Sequence, residues 1–175
     1  MKEIIKEWGS YFLIIIVIVL LRKYIITPVI VKGTSMEPNL ENNQILLLSK
    51  ISYKLTDIKR FDIVVIQEDN DYIIKRVIGL PGETLEYQDN KLYINDKEIS
   101  DPYAKNKTTD FDVEDICEIR NDNCTMIIPE DKYIVLGDNR KVSADSRSKG
   151  LINKSEIAGK VVFRLWPLNK IKVIK

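Results

Sequence analysis

Ser35, in the segment GTSMEPNL at 33–40, and Lys75, in YIIKRVIGLPGE at 72–83, carry a hydroxyl and an amine, side-chain types that hydrolytic chemistry can use as nucleophile and base. None of the 175 residues is a histidine. That removes a Ser-His-Asp triad, a Cys-His pair and histidine-ligated zinc. A nucleophilic hydroxyl must then find another base, and lysine is the one left. Each segment also has a plain explanation. Ser35 can be a turn residue ahead of Pro38, Lys75 a solvated strand lysine, and GDNR at 137–140 a turn.

Lys75 is the more telling of the two. In a strand it shares a face with Ile73 and Val77, while Arg76 shares the other with Ile74 and Ile78. One of two adjacent cations must therefore point along an apolar face. Desolvation disfavours the charged form of a lysine held there. To be mostly neutral at pH 7 it needs a drop of roughly 3 units, or about 4 kcal/mol of differential interaction. A cost of that size suggests a role.

The elements that must position these residues are mostly strands. From Tyr24 onward, short β-branched runs alternate with turns, and 45–49, 62–66, 72–79, 91–95, 133–136 and 159–165 read as strands. EDND joins IVVI to YIIKRVI as a hairpin, and DN at 89–90 and ND at 95–96 mark further turns. A mostly β sandwich or barrel-like domain over 25–175 is expected. Residues from about 86 to 128 are more polar and read as a β-rich insertion on it. The acidic cluster Asp110, Asp112, Glu114 and Asp115 lacks the sixth-position glycine of a calcium loop, with Asn121 in place of the bidentate glutamate; it reads as a solvated face.

Ahead of that domain, residues 1–7 form a short tail and 8–24 read as a membrane anchor. The run WGSYFLIIIVIVLL at 8–21 carries no charge, and Arg22-Lys23 follow it directly. Fourteen residues reach about 21 Å as a helix, short of a bilayer core of about 30 Å, but flanking lysines and Tyr24-Ile25-Ile26 extend the reach. A cleaved leader needs small residues after the run, and Arg-Lys-Tyr-Ile-Ile stands there instead. The lysines on both sides leave the orientation open.

Lys plus Arg total 27 and Asp plus Glu 26, a balance that offers no basic field for nucleic acid. Cys117 and Cys124 flank EIRNDN; outside the cytoplasm they can close a small disulfide, and otherwise they are two small apolar residues. Two cysteines without histidine make a poor metal site, so neither a metal nor a cofactor is expected.

Four segments, GTSMEPNL, FDIVVI at 61–66, YIIKRVIGLPGE and GDNRKVSADSRSKG at 137–150, occur in the order found in bacterial type I signal peptidases. The chain resembles that family from the anchor to VFRLWPLNKI at 162–171. The resemblance implies a signal-peptidase/LexA-like β-fold carrying a Ser–Lys dyad. Ser35 would be the nucleophile and Lys75 the general base, with Ser143 orienting the lysine amine and Met36 packed beside the dyad. Asp138, Arg140, Asp145 and Arg147 would form a structural charged network.

The same resemblance implies substrate contacts through Val29, Val31 and Ile74, lining shallow pockets for the small residues of an Ala-X-Ala site. The substrates would be signal peptides of exported preproteins. The location would be a bacterial plasma membrane, with a single pass and the catalytic domain on the extracytoplasmic side. The backbone N–H of Ser35 would serve the oxyanion, while Gly33 stands where some members place a second, serine donor. Asn39, Phe61 and Glu83 depart from the commoner threonine, glycine and aspartate. A LexA-like repressor would carry a DNA-binding domain in place of the anchor. A silent polypeptide-binding β-domain would lack Ser35, Lys75 or Ser143.

Overall fold

The computed structural model describes residues 2–68, 71–119 and 126–174. Helix α1 spans Lys2–Tyr24 and leads directly into β1, Ile26–Ile30. Next come β2 (Ile45–Ser49), the short helix α2 (Ser52–Leu55), β3 (Ile63–Glu68) and β4 (Asp71–Gly79). Four shorter strands, β5 (Leu85–Gln88), β6 (Lys91–Ile94), β7 (Lys97–Ile99) and β8 (Phe111–Asp112), precede α3 (Val113–Ile119). The described chain continues through β9 (Lys132–Leu136), α4 (Ser146–Lys149), β10 (Ile152–Asn153), β11 (Ile157–Trp166) and β12 (Lys172–Val173).

The mostly β expectation holds. An antiparallel sheet runs in the order β1-β2-β11-β3-β4-β9-β10, with β12 added to β11. A smaller sheet, β7-β6-β5-β8, occupies much of the polar stretch. Its two hairpins turn where the sequence places DN and ND. Asp89, Asn90, Asn95 and Asp96 all have positive φ, the backbone that a tight two-residue hairpin needs and that Asn and Asp tolerate. The small sheet buries Leu85, Tyr87, Leu92, Ile94 and Phe111 against Ile78, Ile134 and Leu136 of the main sheet, so the two share one core.

One stretch differs from the expectation. Val113–Ile119 is a helix, and the acidic cluster begins it. Asp112 Oδ1 accepts the Asp115 N–H and Asp115 Oδ2 accepts the Asp112 N–H, both at 3.0 Å. Carboxylates at a helix start satisfy free amides and suit its dipole, which periodicity over seven residues cannot reveal. Cys117, on this helix, is buried and disulfide-bonded; Cys124 lies outside the described residues, as do Asn121 and the middle of the EDND turn.

Helix α1 covers the expected anchor and presents Tyr11–Leu20 to solvent without a buried face. Among the described residues, no helix is long and apolar enough to cross a membrane.

Candidate active site

Strand β4 lies between β3 and β9, and its cations sit at adjacent rungs. Lys75 faces Val64 across one ladder, and Arg76 faces Ile63 and Leu136 across the two. Strand parity requires one of them to be buried; both are. Lys75 is 4% exposed and Arg76 2%. The sheet is covered on both faces at this strand, so each cation needs its own solution to desolvation.

Arg76 is paired. Its Nε and Nη2 donate to the two oxygens of Asp138 at 2.8 and 2.7 Å, and its Nη1 donates to the Phe61 carbonyl at 2.8 Å. The guanidinium also lies 3.7 Å from the centre of the Tyr103 ring. Phe61 holds its place in this arrangement with a φ of +69°, a conformation that favours glycine.

Lys75 has no carboxylate at hydrogen-bond distance among the described residues. Its Nζ donates to Ser35 Oγ at 2.9 Å. Burial pulls the ammonium below the ordinary lysine value of 10.5, opposed mainly by the charge of Asp145, while Lys149 pushes the same way as burial. A hydroxyl thus sits against an amine whose surroundings favour the form with a free lone pair.

The loop carrying Ser35 follows β1 and is tied to the segment after β9. The Asn139 N–H donates to the Ser35 carbonyl at 2.9 Å, and Asn139 Nδ2 donates to the Thr34 carbonyl at 3.2 Å. Asn39 Nδ2 donates to Asp138 Oδ2 at 2.9 Å. Asp138 therefore joins the nucleophile loop to the strand that bears the lysine. Met36 is buried in the core with Val31, Leu40 and Leu46, and Val29 and Ile74 are half-buried against the same cluster.

Asp145 and Arg140 organise the rest of 137–150. Asp145 caps α4, accepts the Gly137 N–H at 3.0 Å and pairs with Arg147 Nε at 2.9 Å. Arg140 Nε donates to the Gly137 carbonyl at 3.0 Å, and its Nη1 reaches Tyr87 Oη and Thr108 Oγ1 at 2.8 and 2.7 Å. Its Nη2 pairs with Asp101, to which Tyr87 Oη also donates. The insertion is thereby latched to the site segment through buried charge.

Ser143 Oγ is buried and has no hydrogen-bond partner among the described residues. It packs against Gly137, not onto an amine within bonding distance. Gly33 has a φ of +86° and open space where a side chain would stand, and its N–H donates to Asn42 Oδ1 at 3.0 Å.

The structure thus brings together Ser35, Lys75, Met36, Asp138 and Asp145, and it closes Val31 into the core at 2% exposure. Sequence reading missed Asn139, which holds the nucleophile backbone, and the pairing role of Arg76. The second had a visible signal in its parity with Ile74 and Ile78. The Asp101–Tyr87–Arg140 cluster had none, because it joins residues 53 apart along the chain.

Comparison with known proteins places this arrangement in context. Residues 4–166 match the family model described as signal peptidase, peptidase S26. The chain is 38% identical over 183 residues to signal peptidase IB of Staphylococcus aureus strain COL, covering 98% of this chain and 95% of that protein. It is 38% identical over 177 residues to signal peptidase I of Bacillus amyloliquefaciens, covering 99% and 95%. A crystal structure of a signal peptidase I from Enterococcus faecalis V583 superposes with a TM-score of 0.52 at 36% identity, over 61% of this chain and 97% of that one.

Proposed function

The chain belongs to the signal peptidase family, peptidase S26, and is a peptide-bond hydrolase; from that premise we propose that it removes signal peptides from exported preproteins with Ser35 and Lys75 as its catalytic pair. Ser35 Oγ attacks the scissile carbonyl carbon while the neutral Lys75 amine takes its proton. The tetrahedral intermediate places its negative oxygen at the Ser35 backbone N–H. The lysine then returns the proton to the departing amine, leaving an acyl-enzyme that water opens by the same route. The observation carrying this reading is the 2.9 Å contact between Lys75 Nζ and Ser35 Oγ, made by a lysine that burial drives toward its neutral form.

Substrate enters as an extended strand beside β1, with small side chains before the cut set against Val29 and Ile74, both half-buried at the site. Ser143 and Met36 support the dyad by filling the space behind it. Helix α1 is embedded in the lipid of a bacterial plasma membrane, and the β-domain works on the extracytoplasmic side. Ten consecutive exposed residues, Tyr11–Leu20, all apolar or aromatic, support lipid contact, since water disfavours so large an apolar cylinder. Carbonate-resistant sedimentation with membranes, lost when 2–24 are deleted, tests the embedding; full extraction of the whole chain would refute it.

Lys75→Arg tests the base. Arginine keeps the positive charge but cannot release its proton in a protein. Cleavage of an Ala-X-Ala preprotein should vanish while the fold persists. Wild-type activity in this variant would exclude a neutral-lysine base.

A further inference from the structure

Away from the Ser35–Lys75 contact, a cavity of about 240 Å³ lies between the nucleophile loop and the C-terminal strands. Asn39, Leu40 and Tyr103 form one side, and Arg164 and Lys172 contribute to the other. Arg164 and Lys172 are direct register partners on β11 and β12, so the two cations stand side by side on one face. Like charges so placed repel each other. No carboxylate lines the cavity among the described residues.

Arg164 is 6% exposed, and its Nε is buried without a hydrogen-bond partner among the described residues. Its Nη2 donates to the Asn39 carbonyl at 2.5 Å. Glu41, an acid whose charge acts on Arg164, is also engaged by Lys170, whose Nζ stands 2.6 and 2.8 Å from its two oxygens. Arg76, also at the cavity wall, is committed to Asp138. A nearly buried guanidinium set against a second cation gains from a further counter-charge.

We infer that this cavity is an anion site that takes a phosphate group between Arg164 and Lys172. The fork of a guanidinium and the point charge of an ammonium together suit a multivalent oxyanion. The phosphate belongs either to a lipid headgroup or to free phosphate, and the site's chemistry is the same for both. Its occupation is coupled to the nucleophile loop. The residue whose carbonyl accepts from Arg164, Asn39, also donates to Asp138, and Asp138 clamps the neighbour of Lys75.

The test uses the full chain in detergent and in lipid nanodiscs, reading its thermal midpoint. At constant ionic strength, inorganic phosphate at ten times its dissociation constant should raise the midpoint by about 3–6 °C over chloride. Phosphatidylglycerol discs should do so over phosphatidylcholine discs if the headgroup is the source. Lys172→Glu, at an exposed position that leaves the core intact, sets a carboxylate opposite Arg164. That variant should start with a higher midpoint and lose the response to either form. A response to phosphatidylglycerol alone assigns the site to the headgroup, and one to both assigns it to phosphate in general. No response to either, or an equal response in Lys172→Glu, would overturn the site. Cleavage by wild type without added phosphate reports separately on the dyad.

Discussion

The Gly137 Cα lies so close to Ser143 that a Cβ added there would stand 2.2 Å from Ser143 Oγ and 2.6 Å from the Ser35 carbonyl oxygen. Three points of the site meet at this glycine: the backbone of the nucleophile, the buried hydroxyl of Ser143 and, through the Gly137 N–H, the carboxylate of Asp145. A side chain at 137 has to displace at least one of them. Gly137→Ala should therefore cost about 1–3 kcal/mol of stability, as overpacking does, and reduce kcat on a preprotein by about 100-fold or more through misplacement of Ser35. Chemical unfolding and cleavage assays on the same preparation check both. Wild-type kcat in a folded Gly137→Ala would mean that this close packing does not position the nucleophile.

The buried lysine makes two pH predictions. Its value in the folded chain is depressed below 10.5, first by burial. Cleavage needs the neutral amine, so kcat should rise with pH through a limb lying below the ordinary lysine range. For stability, the unfolded chain holds a proton that the folded chain lacks between the depressed value and 10.5. Stability therefore increases with pH across that window, with a slope of at most about 1.4 kcal/mol per pH unit from this group. Lys75→Met should flatten that slope and be more stable than wild type at neutral pH, since it removes an amine that has to give up its proton on burial. Parallel slopes in urea titrations of the two proteins would contradict the depressed lysine.

Much of this site is legible in the sequence because its chemistry is carried by local segments. The DN and ND turns, the strand about Lys75 and the loop about Ser35 each follow from neighbouring residues. What sequence reading misses is contact between distant segments. Arg140 with Tyr87 and Asp101, or Asn139 with Ser35, are decided by how the small sheet folds onto the large one. The short helix α3 escapes for another reason: its seven residues are too few for a period, and its start is fixed by the Asp112–Asp115 reciprocal bonds. Phe61 shows tertiary packing overriding local preference, since its ring centre lies 5.3 Å from that of Tyr103, tilted at 54°, while its backbone takes the left-handed region.

The Asp138 clamp yields a further expectation. Asp138 is fully buried and holds Arg76 with two bonds while accepting from Asn39. Asp138→Asn keeps the shape but leaves Arg76 charged and half-satisfied in the core, at a cost of about 3–5 kcal/mol. Because the clamp joins the nucleophile loop to β4, activity should fall in the fraction that remains folded. A midpoint of unfolding within error of wild type would show that the pair is replaceable.

The most direct measurement is cleavage of a full-length preprotein bearing an Ala-X-Ala site by the complete chain in liposomes, comparing wild type with Ser35→Ala. The Ser35–Lys75 pair predicts a single cut after the final alanine by wild type and none by Ser35→Ala at equal folded concentration. Equal cleavage by both proteins would contradict Ser35 as the nucleophile, and no cleavage by folded wild type across a panel of such preproteins would contradict the proposed substrate.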